Sequence, residues 1–115
     1  MTRAERMVAA LAAFSGALAV AAGAFAAHGA SERAAELLRT GAHYQLVHAV
    51  AAIAVVTLAM GRLVAWLFVV GGAIFAGTLY AMAFGAPGWF GAITPIGGTA
   101  LIIGWVALGI ALLRR

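Results

Sequence analysis

The side chains of this chain that are best suited to bind a ligand or hold a proton lie in one short run, HYQLVH, at positions 43–48. His48 comes four residues after Tyr44 and three after Gln45, so these three side chains share one face of a helix. His43 lies about 140° away from His48 on the same helix. Neutral imidazole is a ligand for zinc, copper and haem iron. This face is therefore suited either to coordination or to hydrogen bonding between helices.

Two further polar residues are expected at the same end of the molecule, because His28 ends the first apolar segment and Thr94 precedes the fourth. Polar side chains inside a membrane are costly, so each is a functional candidate. We therefore predict a candidate polar cluster at the outer end, made up of His28, Tyr44, Gln45, His48 and Thr94. The other polar side chains within the apolar segments are Ser15, Thr57, Thr78 and Tyr80.

A metal site is not favoured by the residues available to this cluster. Zinc takes three or four protein ligands, and only His28, His48 and either Glu32 or Glu36 are at hand, without the spacing of a metal motif. We predict no metal and no cofactor, and interpret the cluster as buried hydrogen bonds that fix helix register, with His48 and Gln45 bonded to the first and fourth helices. A site for haem, quinone or a metal ion at the outer histidines is the alternative hypothesis.

Catalysis and conduction by a single chain both lack the residues they need. The apolar segments contain no acidic residue, and the chain has no G-x-S-x-G elbow, no H-E-x-x-H helix and no cysteine. We therefore predict that the protein is not an enzyme. A continuous polar path across the membrane is also missing, so transport would require a pore between chains of an oligomer.

The elements that position these residues are four long apolar segments, at about 7–27, 42–61, 63–85 and 96–113. Hydrophobic residues make up 66% of the chain and charged residues 9%, which excludes a water-soluble core. About 20 apolar residues cross a hydrocarbon layer about 30 Å thick. We predict one all-α membrane domain over residues 1–115, a bundle of four transmembrane helices.

The first connection, between His28 and Gly41, is predicted to be helical. Ser31 is a suitable N-cap, and Gly41 is suited to end a helix in a left-handed conformation. Leu37 and Leu38 would share an apolar face, opposite charged side chains. We expect a short amphipathic helix that lies on the membrane surface between spans one and two.

Charge sets the predicted orientation. With an even number of spans, one side of the membrane holds five arginines and the other holds two, which predicts that both termini are cytoplasmic. The five are Arg3, Arg6, Arg62, Arg114 and Arg115. Because the arginines are spread over helix ends and form no continuous basic surface, no nucleic-acid partner is expected.

Small residues recur along each span at the spacing of a helix face. Such ridges let helix backbones approach closely in a membrane. We expect at least two of the four ridges to be helix contacts, with Gly77 and Ala81 among the contacting residues. The ridges are Ala12, Gly16, Ala19 and Gly23; Ala49, Ala52 and Ala59; Ala73, Gly77, Ala81 and Gly85; and Ala100, Gly104, Ala107 and Ala111.

Four ordered blocks, GAFAAHGA, TGAHYQLVHA, FAGTLYAMAFG and ITPIGGTALIIGW, resemble the signature blocks of the YgdD-like family of small inner-membrane proteins of unknown function. The resemblance covers nearly the whole chain and implies a bacterial four-helix membrane protein with eukaryotic relatives. It implies no established activity, substrate or cofactor. Ala27 departs from the pattern, where a glycine is expected. The matching polar positions are His28, Tyr44, Gln45, His48, Thr94 and Pro95.

These observations favour an accessory or assembly component of the bacterial inner membrane that works by interaction. Its expected partners are membrane lipid and either another membrane protein or a second copy of the chain. A binder of small ligands at the outer histidines and a transporter acting as an oligomer are the alternatives.

Overall fold

The computed structural model describes residues 1–114, which are almost entirely helical. A short 3-10 turn, Gly88–Ala92, precedes the last helix. The four α-helices are α1 (Arg3–His28), α2 (Glu32–Val55), α3 (Gly61–Ala83) and α4 (Thr94–Leu113). The prediction of an all-α chain is confirmed.

Three helical segments are long and apolar enough to cross a membrane: α1, α3 and the segment Gly88–Leu113 that contains α4. The α2 helix is not one of them, because charged side chains occupy its first two and a half turns and the HYQLVH run makes the remainder less apolar. Length and composition therefore identify three candidate spans in the described part of the chain, whereas the apolar segments of the sequence predict four.

The expected separate surface helix between spans one and two is wrong, because α2 runs without a break from Glu32 to Val55. Ser31 is its N-cap, as predicted, and accepts a hydrogen bond from the backbone of Ala34 at 3.3 Å. The apolar face of its first turns packs inside the protein, where Leu38 is only 1% exposed. That face is covered by other helices, so the membrane surface is not needed to bury it.

Gly41 has a different role from the one expected of it. It lies inside α2, and a Cβ atom there would be 2.6 Å from Cε1 of Tyr80. The glycine thus allows α2 to pass close to α3.

The α2 helix also ends earlier than the predicted residue 61. Its last residue is Val55, and the chain then turns through Met60, whose φ of 60° is left-handed.

The α3 helix is the centre of the packing, since it contacts α1, α2 and α4. The start of α1, the turn between α2 and α3, and the end of α4 lie at one end of the molecule, where Arg3 and Arg62 line one pocket and Arg114 lines another. We call this the basic end. All four helices contribute to one apolar core, made up of Val8, Ala12, Ala52, Val55, Val56, Val64, Ala65, Phe68, Leu101 and Leu108.

The ridges of α1 and α4 are confirmed as helix contacts. Gly16 and Gly23 of α1 face Ala49 and Ala42 of α2 at ordinary contact distance, and Gly104 of α4 packs against the ring of Phe68. The ridge predicted for α3 is wrong. Gly77 faces outward, and apart from its chain neighbours and its own helix backbone no atom of the described chain lies within 4 Å of the place its Cβ would take. A different face of α3, which includes Gly71 and lies about 120° away, contacts α4 instead.

Candidate functional site

The continuous α2 helix determines where the HYQLVH run lies. Because the helix begins at Glu32, His48 is about 24 Å along its axis from that end, and so lies well away from the outer end of the bundle. Gln45 and His48 are 3% and 5% exposed, respectively. Tyr44 is 44% exposed and His43 also faces outward. The run therefore has a buried half and an outward half.

Gln45 joins three helices through its side-chain amide. Its Nε2 donates to Oγ of Ser15 at 3.0 Å, and its Oε1 accepts a hydrogen bond from the hydroxyl of Tyr80 at 2.6 Å. Ser15 lies near the middle of α1, opposite Gln45 in the antiparallel pair of α1 and α2. Buried polar groups inside a membrane need such partners, so this trio fixes the register of α1, α2 and α3.

His48 links α2 to α4. The indole Nε1 of Trp105 donates to Nε2 of His48 at 2.8 Å, and Nδ1 of His48 lies 2.6 Å from the backbone oxygen of Tyr44. An indole N–H only donates, so Nε2 is the acceptor and Nδ1 carries the proton that bonds the carbonyl. Both ring nitrogens of a neutral imidazole are thereby used. The ring of Phe68 packs against both His48 and Trp105, with centroids 5.1 and 4.8 Å away.

A third pair of polar side chains ties the start of α4 to α3. The hydroxyls of Thr78 and Thr94 are 2.6 Å apart. Thr78 also donates to backbone carbonyls of its own helix, one turn earlier. Since one hydroxyl has a single proton, Thr94 donates to Thr78 whenever Thr78 donates to its own helix.

The five residues of the predicted cluster are not brought together into one site. Gln45, His48 and Thr94 belong to three separate hydrogen-bonded groups. Tyr44 packs outward against Phe75, with ring centroids 4.8 Å apart. His28 is exposed in the last turn of α1, at the far end of α2 from His48. The expectation that Gln45 and His48 bond to neighbouring helices is confirmed, to α1 and α3 for Gln45 and to α4 for His48.

Trp105 is the member of these groups that sequence reasoning missed. Tryptophan concentrates at the two interfaces of a membrane, whereas Trp105 lies in the interior of α4. An indole in the middle of an apolar span has a buried or lipid-exposed N–H that needs an acceptor. The position of Trp105 in the middle of an apolar segment is therefore a signal, within the sequence, of a polar partner on another helix.

The geometry bears on the ligand hypothesis as well. Among residues 1–114, no three histidine or acidic side chains are close enough together to hold a metal ion. The lone pair of His48 at Nε2 is taken by Trp105, so His48 can bind a metal or haem iron only after that hydrogen bond is broken. The site is best described as a set of interhelical hydrogen bonds.

Four packed helices with apolar outer faces, and polar side chains bonded to one another between helices, define a small multi-pass membrane protein of the α-helical class. A family model described as "Protein of unknown function (DUF423)" matches residues 22–98. This match and the relatives below show that the chain belongs to the DUF423 family of UPF0382 membrane proteins, which confirms the resemblance to YgdD-like proteins.

The relatives align over most of their length. A UPF0382 membrane protein of Haemophilus influenzae is 43% identical over 107 residues, which cover 85% of this chain and 86% of the relative. The UPF0382 membrane protein YwdK of Bacillus subtilis is 34% identical, with 84% and 88% covered. The UPF0382 inner membrane protein YgdD of Escherichia coli is 30% identical, with 96% and 92% covered. No solved structure matches the chain.

Proposed function

We propose that this protein is an accessory or assembly component of the bacterial inner membrane, with four crossing helices, that works by packing against a helix of another membrane protein or of a second copy. The name of the Escherichia coli relative supports the inner membrane as its location. The α2 helix supplies the fourth crossing. Its polar residues Gln45 and His48 are covered by neighbouring helices, so they are not presented to lipid.

The observation that carries the proposal is the outward ridge of α3. Gly77 and Gly85 are exposed, and apart from adjacent residues and the local helix backbone no atom of the described chain lies within 4 Å of either Cβ position. Ala81 lies between them and is half-buried. Small residues at this spacing allow another helix to approach closely, which is the main source of helix association in lipid. The chain itself does not use this surface.

The interior favours interaction over catalysis. Gln45, His48 and Thr78 are bonded to partners on other helices or on their own backbone. No buried polar side-chain atom lacks a hydrogen-bond partner within the part of the chain that the structure describes. A reactive group or an ion path would need polar atoms that are free to meet substrate. An oligomeric transporter would use the same α3 ridge, with a second copy as the partner.

Cross-linking along the ridge tests the proposal. The chain has no cysteine, so Gly77→Cys carrying a thiol-linked photo-cross-linker reports only its own surroundings. We expect a protein adduct at position 77 in native membranes, identified by mass spectrometry, and only lipid adducts from Ile102→Cys, which is 65% exposed on α4. Gly77→Leu should abolish co-purification of the same partner without changing thermal stability. Lipid adducts alone at both positions would contradict the proposal.

The proposed orientation is tested by labelling with a membrane-impermeant thiol reagent in intact cells. We expect Ala59→Cys, at the basic end, to resist labelling because positive charge is retained in the cytoplasm, and Ser31→Cys, at the opposite end, to be labelled. Ala59 is exposed, and its substitution leaves the charge of Arg62 in place. Both cysteines should react after the cells are lysed. The reverse pattern in intact cells would place both termini outside the cytoplasm.

A further inference from the structure

An open groove of about 520 Å³ runs between α1 and α3 on the lipid-facing side of the molecule. Ser15 and Gln45 lie at its floor, and its walls are apolar. Its walls include Leu11, Phe14, Leu18, Trp66, Val70 and Ala73. The large side chains of α1 stand out from the surface, and Phe14 is 72% exposed.

The groove continues into a basic pocket at the basic end. Arg3 and Met7 of α1, with Arg62 and Trp66 of α3, line this pocket, and Trp66 also lines the groove. The residues Arg3, Met7, Leu11 and Phe14 are spaced by four, four and three along α1, so they form one helix face. Arg62, Trp66, Val70 and Ala73 do the same along α3. One continuous cleft is thus cationic at its mouth and apolar beyond it.

The positive charge at the mouth of the cleft is not balanced by an equal number of acidic side chains. The chain has three acidic side chains, and two of them begin α2 at the opposite end. The third, Glu5, lines the neighbouring pocket together with Arg62, and its carboxylate accepts a hydrogen bond from the backbone N–H of Thr2 at 2.8 Å. The N-termini of α1 and α3 both lie here and add positive potential. A phosphate between Arg3 and Arg62 would complement this charge.

The length of the cleft matches one leaflet of a bilayer. From Arg3 to Leu18 the cleft extends about 22 Å along α1. Half of a bilayer with its headgroups is also about 20–22 Å thick. Beyond this depth the rings of Phe25 and Phe84 pack 5.7 Å apart between α1 and the end of α3. A cleft that ends within one leaflet has the length of a single lipid molecule, so the length favours a lipid.

We propose that this cleft binds one anionic phospholipid of the leaflet at the basic end. Its phosphate lies between the guanidinium groups of Arg3 and Arg62, and one acyl chain follows the groove past Trp66 to Phe14 and Ala73. Basic pockets between membrane helices are known to hold anionic headgroups. The proposal does not depend on the helix contact at Gly77, which lies beyond the residues that line the groove.

Native mass spectrometry of the purified full-length protein, delipidated and then titrated with defined lipids, tests the proposal. We expect one phosphatidylglycerol molecule to be retained in preference to phosphatidylcholine. Arg3→Gln and Arg62→Gln should each weaken its retention about fivefold. Arg62→Lys should restore most of the affinity. Arg33→Gln, the matched control at the opposite end, should change nothing.

The apolar part of the cleft has its own test. Ala73→Phe fills the groove without changing charge, so it should weaken phosphatidylglycerol binding, whereas Gly77→Leu should not. An excess of glycerol phosphate should fail to displace the lipid, because it lacks an acyl chain. Equal retention of the two lipids, equal effects of Arg62→Gln and Arg33→Gln, or displacement by glycerol phosphate would each overturn the proposal. Thermal stability of the same samples shows that each variant is folded.

Discussion

Gly97→Leu is expected to be among the most destabilising single substitutions in this protein, with a loss of about 3 kcal/mol. A Cβ at residue 97 would lie 2.5 Å from the backbone nitrogen of Phe75 and 2.6 Å from the carbonyl oxygen of Gly71. These atoms belong to the backbone of α3, so they cannot move aside as a flexible side chain would. The substitution must therefore push α4 away from α3. Thermal unfolding of the purified protein in detergent measures the loss.

Gly77→Leu is the matched control, because it introduces the same side chain at another helical glycine. Within the described residues, no atom beyond the adjacent residues and the local helix backbone lies within 4 Å of the Cβ position at residue 77. We expect its stability to stay within about 0.5 kcal/mol of the parent protein. An equal loss from both variants would contradict the close approach of α3 and α4 as the cause, because the change from glycine to leucine raises helix propensity at both positions.

Small residues in the sequence predict the contacting faces of some helices but not of others. Small residues on α1 and α4 follow one clear face each, so their contacts were predicted correctly. The α3 helix carries small residues on several faces: Gly71 faces α4, Ala76 faces α2 near Gly41, and Ala73 and Gly77 face outward. Periodicity alone does not distinguish them. The choice depends on the side of α3 on which α4 packs, and α4 packs on the face that includes Gly71.

The boundaries of α2 could not be predicted from the sequence, for a related reason. A glycine after a charged, amphipathic stretch is typical of a helix end, and Gly41 fits that pattern. The same residue type is needed where a helix passes close to another, and here the ring of Tyr80 is what Gly41 accommodates. Because the helix continues through Gly41, the polar run that follows lies in the middle of the bundle. Because the prediction ended a helix at Gly41, it placed the whole cluster at the outer end of the bundle.

Within that cluster, burial separated the residues that the pattern had grouped. Gln45 and His48 were predicted to form buried hydrogen bonds, and they do. The exposed Tyr44 and His28 share a spacing or a helix end with them, but not a contact to the same partners. The identity of those partners depends on how helices that are far apart in sequence lie against each other. Ser15 is 30 residues from Gln45, and Trp105 is 57 residues from His48.

His48→Leu is expected to destabilise the protein by about 1–3 kcal/mol, because it leaves the indole N–H of Trp105 without an acceptor. Trp105 is 44% exposed on the outer surface of α4, where the surroundings are lipid and offer no water to replace the lost bond. His48→Gln keeps a side-chain oxygen at this position and should retain most of the stability. Thermal unfolding in detergent gives both values, and the emission of Trp105 should shift only in the leucine variant.

A double substitution separates the hydrogen bond from the packing around it. Removing both partners, in His48→Leu with Trp105→Phe, leaves no unpaired donor, so the double variant should be less destabilised than the sum of the two single variants. Simple additivity would show that the bond contributes nothing and that only the contacts with Phe68 matter. The ligand hypothesis predicts something else: added zinc or haem would stabilise the parent protein and not His48→Gln. We expect no such stabilisation, since the lone pair that a metal would need is already bonded to Trp105.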